Sequence, residues 1–285
     1  MMRSHERTWA AAAMILLAAV AVLHASEPVT LVACAPGYPG STEQAQPTMD
    51  EFSAQTTRMS GWNEAALAAV YYNDLEEGLA RLEQSDVALV LVPLPFYLEY
   101  ADRLALRPIL EAGMAENPEE TWTLVSGKGK VAGPGSLDGW EITGRGGYSA
   151  TFVRNIALDG WGALPATASV TFSSRTVSAL RKASRGESVA VLLDGEQAAA
   201  LDDLPFASDL DRVYVSDRLP ATLLCVVENR LGAEKIDELT KGLTRMSSKK
   251  SGREILDQLR LSGFEPVDED ELGRIRELWR QSTGS

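Results

Sequence analysis

DLEEGLARLEQSDVALVLVPLPFY, residues 74–97, changes its hydrophobic period halfway along. Leu75, Leu79 and Leu82 recur at helical spacing, so Asp74–Leu82 reads as an amphipathic helix. Ser85 and Asp86 end it. Val87 to Val92 is then apolar without a break, the pattern of a strand buried on both faces of a parallel sheet. Pro93–Tyr97 follows at the carboxyl end of that strand. The strand-like run Ala69–Tyr72 precedes the helix. Strand and helix therefore alternate, and the fold class expected is α/β.

The same alternation extends in both directions. Upstream, Pro28–Pro36 reads as a strand, Pro36–Gly40 as a loop, and Ser41 as a helix start with Gln44 three residues on, the spacing of a capping box. Downstream, the pattern breaks from about Leu110 to Thr121, which reads as a crossover between two halves. Trp122–Ser126, Glu141–Thr143, Ala168–Phe172 and Glu187–Leu193 then read as strands. Tyr148–Leu158, Ser174–Lys182 and Ala198–Leu201 read as helices between or after them. Val213–Pro220 gives a second crossover, Thr222–Val227 a returning strand, and Ala233–Trp279 a largely helical tail. Gly127–Lys130 lacks the spacing of a phosphate loop and reads as a hairpin tip.

Length and composition fit this plan. A chain of 285 residues with 45% hydrophobic content holds one large domain or two small ones. A net charge of −13 argues against a nucleic-acid binder, which needs a basic face. It does not argue against a small anion, which local donors hold over a few ångströms while salt screens the distant field.

The amino terminus reads as a signal peptide over residues 1–25. Arg3 and Arg7 precede an apolar run, Trp9–Leu23, that is short for a membrane span. Leu31–Cys34 imitates a lipid-attachment site, but it lies beyond the apolar run and makes a good strand, so no lipid anchor at Cys34 is expected. The only histidines are His5 and His24. Cleavage after Ala25 leaves a mature chain with none, which removes serine triads, cysteine–histidine nucleophiles and histidine-based zinc sites together. Neither metal nor cofactor is expected. Cys34 and Cys225 sit in apolar strand-like runs and read as small buried hydrophobes.

Two sheet patterns joined by two crossovers place a ligand cleft between lobes, lined by loops at the carboxyl ends of strands. Candidate residues follow from position. Ser41 and Thr42 open a helix whose first-turn N–H groups either face the cleft or merely cap. Gly144-Arg145-Gly146-Gly147 lies at a helix start, followed by Tyr148 and Ser149. Arg145 either grips an anion with two parallel hydrogen bonds or points to solvent; the cleft-facing orientation is carried forward. Tyr38, Tyr72, Tyr97 and Tyr148 fall near strand ends, although ordinary packing is the commoner fate of any one tyrosine. Gln197 and Ser149 are candidates by position alone. Arg145→Ala is expected to weaken ligand binding with little loss of folding stability.

Several stretches together resemble the solute-binding proteins of ABC importers, and within them the phosphate/phosphite/phosphonate-binding family. They are Tyr72-Asn73-Asp74-Leu75-Glu76-Glu77-Gly78-Leu79, Ser136-Leu137-Asp138-Gly139-Trp140, Gly186-Glu187-Ser188-Val189-Ala190-Val191-Leu192-Leu193-Asp194, Val215-Ser216-Asp217-Arg218-Leu219-Pro220 and Ser262-Gly263-Phe264. The resemblance implies a two-lobe periplasmic-binding-protein fold of type 2, without catalysis. The lobes would comprise 26–118 with 218–285, and 119–217. It implies a periplasmic monomer that closes on a small polar anion, phosphonate- or phosphate-like, and delivers it to a membrane ABC permease. In that family a Ser-Thr-Ser-Gly-like run holds the oxyanion; Gly144–Gly147 stands at its position and keeps the helix start without the hydroxyls. Asp194 matches the family's acidic residue after a late second-lobe strand, as a partner for a ligand amine or hydroxyl, and it also suits a helix N-cap. A sensing or interaction subunit on the same fold is the alternative, with an enzyme on this fold behind it.

Overall fold

A computed structural model describes residues 28–114 and 120–284. The signal peptide read over 1–25, both histidines and the Asn117-Pro118-Glu119 part of the first crossover lie outside the described residues.

The first half opens with β1 (Val29–Cys34), α1 (Thr42–Ser60), β2 (Leu67–Tyr72), α2 (Leu75–Leu82), β3 (Val87–Pro93), α3 (Leu94–Leu104) and β4 (Leu106–Met114). Ser41 caps α1 in a complete capping box with Gln44, and Asp74 caps α2 by accepting from the Glu77 N–H. All seven residues of β3 are buried. Val90 and Val92 face one core and Leu89 and Leu91 the other, as period two requires of a strand covered on both sides.

The middle of the chain supplies β5 (Thr123–Gly127), β6 (Glu141–Gly144), α4 (Ala150–Phe152), β7 (Ser169–Phe172), α5 (Thr176–Ser184), β8 (Val189–Leu193), α6 (Gly195–Ala199) and β9 (Leu210–Val215). The helix expected over Tyr148–Leu158 is irregular: a 3₁₀ turn at Arg145–Tyr148, the single turn of α4, and a π turn at Val153–Ala157. Phe152, Ile156 and Ala157 are buried. The last part returns with β10 (Thr222–Val227), α7 (Ala233–Thr244), α8 (Lys250–Gln258), β11 (Leu261–Glu265) and α9 (Glu269–Thr283).

Two sheets result. The six-stranded sheet runs β11-β4-β10-β3-β1-β2 and the five-stranded sheet runs β7-β6-β8-β5-β9. β1 pairs in parallel with β2 and β3, and β10 runs antiparallel between β3 and β4. In the second sheet β6 is parallel to β7 and β8, while β5 is antiparallel to β8 and β9. Three readings of the sequence need correction. Val213–Val215 belongs to β9 and not to the second crossover, because β5 pairs with it. Glu111–Met114 belongs to β4 and not to a crossover, because β10 and β11 pair with it on either side. Leu261–Glu265, taken into a helical tail, is an edge strand on β4.

One apolar cluster passes from the first sheet into the second. It joins Val90, Val92 and Leu98 to Trp122, Phe152 and Ile156, with Leu272 and Ile275 of α9 closing over it. The other face of the first sheet packs under α1, α7 and α8, and α5 covers the second sheet's outer face. The parallel strands β1–β3 and β6–β8 thus end toward one another, and their loops meet.

Candidate functional site

Three of those loops converge. After β1, Gly37 takes a left-handed φ of 78°, and the turn brings Tyr38 out beyond the sheet. After β6 comes the 3₁₀ turn carrying Arg145. After β8, Asp194 begins α6. The Arg145 guanidinium lies 4.4 Å from the centre of the Tyr38 ring, a cation–π contact between the two halves. Its Nη1 donates to Asp194 Oδ2 at 2.8 Å, and Glu196 Oε2 stands 3.6 Å away. The Arg145 side chain is 13% exposed and that of Asp194 2%.

Asp194 therefore holds two posts. Oδ1 accepts the Gln197 N–H at 2.8 Å and Oδ2 accepts Arg145. Gln197 completes the capping box by accepting from the Asp194 N–H, and its amide donates to Thr176 Oγ1. Burial pushes the Asp194 carboxyl up, and Arg145 with the Gln197 N–H opposes it. Burial works against the charge on Arg145, but Asp194, Tyr38 and Glu196 outweigh it and hold the guanidinium protonated.

Acidic groups gather round this arginine. Glu120, 6% exposed, accepts from the Gly195 N–H. Burial first, then Asp194 and Glu196, push it up to about 7 against the pull of Gly195 and Arg145. Glu196 also pairs with Arg260, which follows α8 in the first half. So Glu196 sits between two guanidiniums, one from each side of the cleft. Ser149 donates to Glu99 Oε2 of α3 at 2.6 Å and caps α4 by accepting from the Phe152 N–H. The Tyr38 and Tyr148 hydroxyls are held neutral, burial being the main cause in both.

Five buried side-chain polar atoms among the described residues have no hydrogen-bond partner: the Thr56 and Ser60 hydroxyls on α1, and Arg145 Nε, the Tyr148 hydroxyl and Trp122 Nε1. The Tyr148 ring meets Phe172 edge-on at 5.9 Å, and Trp122 meets Phe152 at 5.1 Å. Buried polar atoms are seldom left unpaired, and the two on the Arg145–Tyr148 turn, Arg145 Nε and the Tyr148 hydroxyl, mark a place where an acceptor would fit.

The candidate residues divide accordingly. Tyr38, Arg145 and Asp194 come together, with Tyr148 and Ser149 on the adjoining turn. Gly146 and Gly147 are adjacent but serve packing: a Cβ on Gly147 would lie 1.9 Å from the Thr171 carbonyl oxygen, and one on Gly146 would press on Trp122 at 3.1 Å. Ser41 is occupied with the Gln44 N–H and Glu43, and Thr42 begins α1 beside it. Tyr72 faces Gly78 of α2, beside Cys34 of β1; its neighbour Tyr71, on the opposite face of β2, turns toward the cleft loop and donates to the Pro39 carbonyl. Tyr97 is remote, with its hydroxyl and ring against Arg276 of α9. The expectation that Arg145→Ala costs little stability also needs correction, because removing the guanidinium would leave Asp194 buried without a counter-charge. Sequence reading missed Glu99, Glu120, Trp122, Phe172 and Arg260, since nothing local distinguishes them.

A cavity of about 380 Å³ adjoins this cluster. Tyr38, Gly40 and Glu196 stand on its cleft side, and it runs between the first sheet and α1.

Known proteins share this architecture. The family described as "ABC transporter, phosphonate, periplasmic substrate-binding protein" matches residues 38–272. No curated protein sequence matches the chain. Among solved structures, a Xanthomonas citri protein bound to chloride ion is similar at 14% identity and a TM-score of 0.68, over 91% of this chain and 98% of that one. A binding protein component of an ABC phosphonate transporter from Pseudomonas aeruginosa is similar at 17% identity and a TM-score of 0.65, over 90% and 87%. So is PhnD1 from Prochlorococcus marinus in complex with methylphosphonate, at 15% identity and a TM-score of 0.65, over 91% and 99%. At these identities the likeness to solved structures is one of fold: a two-lobe binding protein of type 2.

Proposed function

The chain belongs to the periplasmic substrate-binding proteins of phosphonate ABC transporters, a family of binding proteins and not of enzymes, and from that premise we propose that it is exported through a cleaved signal peptide over residues 1–25 and carries a small polar anion, phosphonate- or phosphate-like, to a membrane permease. It acts as a monomer, with one lobe made of 26–118 and 218–285 and the other of 119–217. The anion is taken between the lobes.

The observation that carries this reading is Arg145. It is a nearly buried guanidinium that spans the cleft onto Tyr38, with its Nε donor unpaired. An acid oxygen at Nε, with Tyr148 as a second donor, would satisfy two buried groups that the protein leaves open. A charge-assisted hydrogen bond of this kind is worth roughly twice a neutral one. Contacts to both lobes would be made only when the lobes are closed, so binding would shift the hinge equilibrium by the difference in affinity between the two forms.

The test is a thermal-shift panel of phosphate, phosphite, alkyl- and aminophosphonates, sulfonates and carboxylates, followed by Arg145→Lys. A ligand at one hundred times its dissociation constant adds about 2.7 kcal/mol of apparent stability. Stabilisation by an oxyanion, weakened about tenfold in Arg145→Lys, is the expected outcome. Stabilisation by cations alone, or oxyanion binding indifferent to the lysine, would reject the assigned site.

A further inference from the structure

The cavity beside the arginine has a composition that a bare oxyanion does not need. Its walls are Ala45, Met49 and Phe52 of α1, Tyr71 of β2, Leu91 of β3 and Leu261 of β11. Met49, Phe52 and Leu261 are each at most 5% exposed. Charge is confined to the mouth, where Glu196 meets Arg260. Arg260 holds a left-handed φ of 57°, a conformation that residues other than glycine rarely adopt. It reaches across to Glu196 from the turn between α8 and β11, while Arg145 stands on the other side of the same carboxylate. The arrangement is an apolar chamber with two guanidiniums and one internal carboxylate at its door.

Small-molecule sites commonly measure about 300–1,000 Å³, and a dry apolar cavity of about 150 Å³ is enough to take benzene. At about 380 Å³ the chamber has room for a ring or a short alkyl chain together with the acid it carries.

We propose that the ligand is an amphiphilic acid: its acidic group is held by Arg145, with Arg260 beside it at the mouth, and a compact apolar group fills the chamber between α1 and the first sheet. This rests on the proposed function for the acid and goes beyond it for the rest of the molecule. Inorganic phosphate and methylphosphonate are then weak ligands, because they leave the chamber unused.

The experiment is calorimetric titration of the purified protein with methyl-, propyl-, phenyl- and benzylphosphonate, and with acetate, butyrate, benzoate and phenylacetate. Affinity is expected to rise about fourfold for each added methylene. Ala45→Phe and Thr48→Phe, which put a ring into the chamber from α1, are expected to flatten that rise. Binding without any rise in the wild type would overturn the inference and leave the oxyanion reading standing. A rise that survives both substitutions would overturn it as well, by placing the apolar group elsewhere. A rise confined to the carboxylates would support the chamber and reject phosphonate as its cargo. Binding of neither series would reject both.

Discussion

Replacing Arg145 by alanine exposes the main electrostatic constraint of the cleft. Asp194 lies 1% exposed at the head of α6, and Arg145 is its only cationic neighbour among the described contacts. Breaking a buried ion pair from one side costs about 3–5 kcal/mol, because the remaining charge is stranded. The protein has an escape, since Asp194 can bind a proton. From a reference value near 3.9, protonation at pH 7 costs no more than about 4.2 kcal/mol, and at pH 5 about 1.5 kcal/mol. The loss is therefore capped, and the cap falls with pH. Burial already raises the folded pKa of Asp194, and in the variant, without Arg145 to oppose it, the rise is larger. The folded state then binds the proton more tightly, so stability is regained as pH falls toward the unfolded value and lost as pH rises from it. We expect Arg145→Ala to lower the melting temperature by on the order of 6–12 °C at pH 7 and by less than half of that at pH 5. Asp194→Asn keeps a good N-cap and removes the charge, so the double variant should recover most of the loss. The assay is thermal unfolding of the single and double variants at both pH values. A loss below about 1 kcal/mol at pH 7, or one that does not shrink at pH 5, would refute the claim that this guanidinium holds the buried carboxylate.

Four further outcomes are expected. Glu120 and Glu111 are both pushed up to about 7, chiefly by burial, so the folded state holds their protons more tightly than the unfolded chain does. Stability should fall as pH rises from the ordinary carboxylate range toward 7, and Glu120→Gln should remove part of that slope in melting temperature; an unchanged slope would exclude Glu120 as its source. Gly147→Ala should abolish soluble expression or severely lower melting, because its Cβ would meet the Thr171 carbonyl; near wild-type melting would show that the turn can move. Glu196→Gln should tighten binding of acids by up to about fivefold, the equivalent of ~1 kcal/mol for a partly exposed ion pair, and weaker binding would show that Glu196 helps rather than competes. Burial pushes the Cys34 thiol up to about 12 and raises Cys225 as well, so a disulfide-exchange reagent at pH 8 should titrate neither until denaturant is added.

The sequence was most legible where local physics decides. The capping box at Ser41, the N-cap at Asp194 and the doubly buried β3 follow from short-range rules and stand as read. It was least legible where pairing over distance decides. β11 is five residues long with a glycine inside, and only its partner β4 makes it a strand. Tyr71 and Tyr72 are equivalent in composition, and strand parity alone sends one toward the cleft and the other toward α2. Arg145 was found from its setting between glycines, but the glycines answer to the Thr171 carbonyl and Trp122, and the arginine's partner is 49 positions away. Glu99 and Glu120 carry no signal at all, because what matters about them is the turn each faces.

The placement of β10 bears on how the chain reaches this state. β3 and β4 do not pair with each other; β10 fills the gap between them, and β11 completes the sheet's edge. The second sheet, by contrast, is drawn entirely from residues 123–215. A nascent chain emerging from its amino terminus therefore presents β3 and β4 with unpaired edges until residues beyond 222 arrive. Such edges are liable to pair wrongly. Long-range strand pairing of this kind is also intrinsically slow, because the loop must close before any contact repays it. The strand that completes the first sheet thus lies beyond the whole of the second in the chain.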